Sequence, residues 1–104
     1  MGIKAEEDKI EQYMCIGITQ HGGVSLKYEP TGSSHWPDRI VLRGGNFFWV
    51  EVKAPDGKLS AGQKILFKAL QSKGHCIYIV DSIAKADAVI DGNAAKLLSM
   101  VHEQ

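Results

Sequence analysis

The chain lacks any apolar run approaching the ~18 residues that cross a bilayer, so a membrane-spanning helix is not expected. The N-terminal stretch MGIKAEEDKI has no apolar core and is acidic, which fits neither a secretory leader nor a transit peptide. No charge sign predominates: 12 Lys and Arg balance 12 Asp and Glu. A globally basic nucleic-acid-binding surface is therefore excluded, while a local basic patch beside acidic groups is not. Cysteine is scarce. Cys15 and Cys76 stand far apart, with no second Cys or His near either at zinc-ligand spacing. We expect two small buried hydrophobes in a reducing, intracellular (cytoplasmic) setting, not a disulfide. Repeats, low-complexity tracts and linkers are missing as well. At 104 residues the chain fits one domain, 1–104.

What remains has the composition of an ordinary globular domain, 44% hydrophobic and 23% charged. Ile10, Met14 and Ile18 recur at helical spacing, with Tyr13 beside them and an acidic first turn, predicting a helix over 4–20 ended by Gly22-Gly23. Val24, Leu26 and Tyr28 alternate with polar residues, as in a strand over 24–29. The runs DRIVLR (38–43) and NFFWVEVK (46–53) flank Gly44-Gly45, a hairpin pattern because both glycines tolerate positive φ. Ser60-Ala61-Gly62-Gln63 fits a capping box opening a helix with an Ile65, Leu66, Ala69, Leu70 stripe. Cys76–Val80 is short and apolar enough for a buried strand. A helical turn near 83–86, a short strand near 88–90 and a last helix from about Asn93 complete the expectation. The order predicts an α/β fold, a mixed β-sheet flanked by helices.

The hairpin concentrates the chemistry. A two-residue Gly44-Gly45 turn pairs Arg43 with Asn46, Leu42 with Phe47 and Ile40 with Trp49. It thereby sets Asp38 opposite Glu51, their Cβ atoms roughly 4.5–5.5 Å apart. Two like charges so placed repel, and a divalent cation between them reverses the sign. Lys53, two residues after Glu51, points to the same face, which the register makes mostly core with a polar cluster at one end. Hard oxygen ligands suit Mg²⁺ or Mn²⁺, and the Val52 carbonyl is a further oxygen. Such an ion polarises a phosphate and acidifies water, and a lysine alongside offsets transition-state charge. No Gly-rich phosphate loop, Ser/His/Asp order or redox motif competes.

The ordered set Pro37-Asp38, hairpin, Val50-Glu51-Val52-Lys53-Ala54-Pro55 and Leu59-Ser60-Ala61-Gly62-Gln63 resembles the virus-type replication-repair nuclease (VRR-NUC) family. That family belongs to the PD-(D/E)xK superfamily. The likeness runs from the first helix to about Asp87. It implies a PD-(D/E)xK (restriction-endonuclease-like) core and a Mg²⁺- or Mn²⁺-dependent endodeoxyribonuclease. It also implies Asp38 and Glu51 as metal ligands, Lys53 as the catalytic lysine and a first-helix glutamate completing the acidic cluster. Glu7 fits best, with Glu6 and Glu11 as alternatives. Gln63 is implied near the site and is also placed to cap its helix. The family's glycine before the PD pair is replaced by His35 here. The substrate implied is DNA, branched or Holliday-junction-like, cut by a homodimer in a bacterial or phage-type host. A non-catalytic DNA-binding module with the same fold, and a nuclease acting on RNA, are the alternatives. Lys58, Lys64, Lys68 and Arg39, with Lys27 and Arg43, are candidate DNA contacts. Phe47, Phe48, Trp49 and the last helix are candidate interface.

Overall fold

Glycine at 44 and 45 builds the centre of the molecule. With φ of 57° and 83° the pair turns the chain in two residues. Arg39–Arg43 (β2) thereby pairs antiparallel with Asn46–Val52 (β3). Arg43 faces Asn46, Leu42 faces Phe47 and Ile40 faces Trp49, in the register that the turn chemistry predicts. The computed structural model describes residues 3–32 and 35–92. Around the hairpin lie Ile3–Gln20 (α1), Val24–Lys27 (β1), Ala61–Ser72 (α2), Ile77–Val80 (β4) and Ile83–Asp91 (α3). The sheet runs β1-β2-β3-β4. Its first three strands are antiparallel, and β4 lies parallel to β3, with α2 as the crossover. The fold is α/β, a mixed sheet between helices.

Period-two alternation sorts β3 and β4 into two cores. Phe48, Val50, Val52, Tyr78 and Val80 pack with Ile10, Met14 and Ile18 of α1 and with Ala86, Val89 and Ile90 of α3. On the other face Trp49, Ile77 and Ile79 pack with Leu59 and with Phe67 and Leu70 of α2. Burial on both faces explains why these two strands read as nearly unbroken apolar runs. Beyond the reach of α2, Leu42 and Phe47 are 41% and 52% exposed, so the outer part of that hairpin face is not core as expected.

The expected short strand at 88–90 is the second half of α3. Ser82 caps that helix by accepting the Lys85 N–H, and Gly92 ends it in the left-handed region. Val89 and Ile90 are β-branched, yet packing against α1 decides their conformation. Cys76 is exposed and Cys15 half-buried, both free, where buried thiols were expected. Phe48 and Trp49 are buried, which removes them as interface; Phe47 stays exposed. The helix expected from Asn93 lies outside the described residues. Among those residues no helix is long and apolar enough to cross a membrane.

Candidate functional site

The two carboxylates converge at the end of the hairpin where its ladder stops. The last paired residues are Arg39 and Val50, so the next step brings Asp38 beside the Glu51–Val52 segment. One carboxylate oxygen of Asp38 accepts the Val52 N–H at 2.9 Å. This bond continues the sheet with a side chain and holds the acid in place. Glu51 is only 3% exposed. Its Oε2 accepts from Gln63 Nε2 at 3.0 Å and lies 3.3 Å from Lys53 Nζ. Its Oε1 is buried without a hydrogen-bond partner. An orphaned carboxylate oxygen in a protein interior is costly unless something else meets it.

Gln63 ties the group together. Its Oε1 accepts from Lys53 Nζ at 3.1 Å and from the Ser60 N–H at 3.0 Å, while its own N–H donates to Ser60 Oγ at 3.1 Å. The capping box and the site share this one side chain, so the start of α2 is docked onto Glu51 and Lys53. Burial and the Asp38 charge push Glu51 up to about 7, against the pull of Lys53 and Gln63. Asp38 is also raised, by burial first, although the Val52 N–H works the other way. Glu7 on α1 is raised by burial and then by Asp38, which puts it within electrostatic reach of the site.

Of the three first-helix glutamates, Glu6 is exposed and Glu11 is committed elsewhere. Glu11 Oε2 lies 2.6 Å from Arg39 Nε, with both side chains mostly buried. Glu7 is the glutamate left half-buried and facing Asp38 electrostatically. Arg39 is therefore occupied by an ion pair, not exposed on a surface as a DNA contact would be. Arg43 likewise spends its guanidinium on the Ile90 carbonyl at the end of α3. Lys27, Lys58, Lys64 and Lys68 are exposed. Lys64 and Lys68 edge a groove of about 340 Å³ floored by Leu59, Phe67, Ile77 and Ile79. The Glu11–Arg39 pair has no sequence signature, because its members are far apart in the chain. His35 stands out in the sequence, but its packing does not: its ring lies so close to Gly62 that a Cβ there would lie 2.5 Å from it. The histidine thus covers the first turn of α2 beside Gln63.

No group of three or more His, Cys, Asp or Glu among the described residues has the geometry to hold an ion by itself. The donor chemistry nonetheless suits a hard cation. Magnesium-like ions are commonly held by one or two carboxylates, with water and substrate phosphate completing the shell. The unpartnered Glu51 oxygen and the raised carboxylates describe a site short of positive charge.

No family model matches the chain. It is 34% identical over 77 residues to "Putative nuclease p44" of Acyrthosiphon pisum secondary endosymbiont phage 1, which is 73% of this chain and 83% of that protein. A solved structure described as "VRR_NUC domain" matches with a TM-score of 0.75 at 24% identity, over 85% of this chain and 97% of the other.

Proposed function

The chain belongs to the VRR-NUC family of nuclease domains, and from that premise we propose that it is a Mg²⁺- or Mn²⁺-dependent DNA endonuclease acting at Asp38, Glu51 and Lys53. The observation carrying this reading is the buried Glu51 carboxylate. One of its oxygens is shared by Gln63 and Lys53 and the other has no partner.

Asp38 and Glu51 would hold the ion, joined by Glu7 and by the Val52 carbonyl. When bound, it supplies Lewis acidity, drawing charge from a phosphate oxygen and lowering the pKa of water. The remaining work falls to the protein. Lys53, between Glu51 and Gln63, directs its ammonium at the reacting centre, where it holds the attacking water and offsets charge gathering on the phosphoryl oxygens. Gln63 fixes the Lys53 ammonium and the Glu51 carboxylate relative to each other. The Val52 N–H braces the Asp38 carboxylate, so that it would meet an ion in a fixed orientation. Lys58, Lys64 and Lys68 supply phosphate contacts beside α2. Branched DNA, such as a four-way junction, is the substrate we assign, cut by a two-fold dimer presenting two such sites.

A cleavage panel of duplex, flap, four-way junction and RNA substrates, with and without Mn²⁺, tests this reading. Branched DNA should be cut, a chelator should stop the reaction, and Glu51→Gln and Lys53→Ala should each lower the rate roughly 10²–10³-fold with the fold intact. Cleavage that persists in both variants or in chelator sinks the proposal. RNA cut in preference to DNA redirects it to the other nucleic acid.

A further inference from the structure

Glu7 and Asp38 repel each other across the gap between α1 and the sheet. Glu11 adds a second acidic group that Asp38 feels. Among the described side chains, the first that α1 buries in the core is Ile10, and Glu7 lies one turn before it. Among the described side chains, then, the restraint on the helix end that carries Glu7 is polar.

The restraint is visible one step along both elements. Glu11 follows Glu7 by four residues, so it shares a helix face with it. Arg39 directly follows Asp38. The Glu11 and Arg39 side chains meet at 2.6 Å, 16% and 18% exposed, a geometry in which an ion pair is far less screened than at a surface. Arg39 also donates to Ser25 Oγ on β1 at 3.4 Å, and Ser25 in turn lies 3.4 Å from Cys15 Sγ on α1. The guanidinium thus joins α1, β1 and β2 beside the acidic groups that repel across the gap.

We infer that the Arg39–Glu11 pair is a positioning clamp that sets Glu7 against Asp38, so that Arg39 serves cation binding at the site without touching the cation or the nucleic acid. This rests on the metal-dependent reading above, and Arg39 is a positioning residue in it.

Electrostatics alone predicts the opposite sign. Removing the Arg39 charge leaves Glu11 uncompensated and makes the region more negative, which by itself tightens cation binding. A clamp predicts weakening, because Glu7 swings off. The experiment is Mn²⁺ titration of the full-length, metal-free protein by calorimetry, with melting curves as the control for folding. Arg39→Ala should raise the Kd for Mn²⁺ roughly tenfold, and Arg39→Lys should recover most of that loss. Glu7→Gln should weaken Mn²⁺ binding in the native background and cost nothing further in the Arg39→Ala background. Where Arg39→Ala fails to fold, Glu11→Gln replaces it in the same pair with Glu7→Gln. Glu51→Gln separates this inference from the reading beneath it. If Glu51→Gln loses Mn²⁺ binding while Arg39→Ala binds as tightly as the native chain or more tightly, the clamp is wrong and the site stands. The clamp also fails if the Glu7 and Arg39 effects simply add. If Glu51→Gln binds Mn²⁺ like the native chain, the site reading falls and the clamp with it.

Discussion

Glu51 combines three conditions that rarely meet in one carboxylate: nearly complete burial, an acidic neighbour and an oxygen without a partner. Its folded-state value of about 7 lies above the ordinary 4.5. Between those values the folded chain binds more protons than the unfolded chain, so folding stability falls as pH rises through the window. Asp38 and Glu7 are raised too and act in the same direction. In chelator, denaturation midpoints should drop from pH 5 to pH 8, with Glu51 accounting for on the order of 3 kcal/mol. Glu51→Gln should flatten most of that slope. A midpoint that rises with pH would contradict the placement of this side chain. The Glu51-x-Lys53 spacing was legible from strand alternation alone. The value near 7 was not, since burial and the Asp38 charge raise it against the Lys53 and Gln63 partners, and tertiary packing sets all four.

At the level of elements, α2 does more than cover one face of the sheet. Its capping box supplies the Gln63 side chain that both satisfies the Ser60 N–H and bridges Lys53 to Glu51. Helix start and site geometry are therefore coupled. Ser60→Ala should cost about 1 kcal/mol of stability through the lost cap. It should also lower the cleavage rate more than it raises KM, because Gln63 loses one of its anchors; urea melts and steady-state kinetics on one preparation test both. A stability loss with unchanged kinetics would show that Lys53, Glu51 and the backbone N–H at position 60 hold the Gln63 side chain without the Ser60 hydroxyl. For α3, sequence pattern misleads. Ala88-Val89-Ile90 reads as a strand by composition, but Ser82 caps a helix and Ile90 packs against α1. Short apolar runs leave helix and strand undecided until their neighbours are known.

For the molecule as a whole, net charge is zero, so any nucleic-acid affinity must come from an uneven distribution. Exposed Lys58, Lys64 and Lys68 belong to the segment that also carries Gln63. Reversing all three to Glu should weaken metal-free DNA binding and reduce its salt dependence, with little change in melting temperature. Unchanged affinity in a filter-binding series at several salt concentrations would place the DNA path elsewhere. A cation bound only by the folded chain must also stabilise it. Mn²⁺ at about 100 times its Kd should add about 2.7 kcal/mol, an increment that Glu51→Gln should abolish.

The sequence by itself determined the α/β order, the hairpin register and the placement of Asp38 and Glu51 at the same end of the hairpin. All three follow from local chemistry: a glycine pair that permits one tight turn, side chains that alternate along strands, and a cap that starts a helix. Only the tertiary structure decided which first-helix glutamate remains near the site, that Arg39 is held by Glu11, that His35 rests on Gly62, and that one oxygen of Glu51 goes without a partner. These depend on contacts between segments distant in the chain. Such contacts are set by how helices settle on the sheet, and no spacing of residues along the chain encodes that distance.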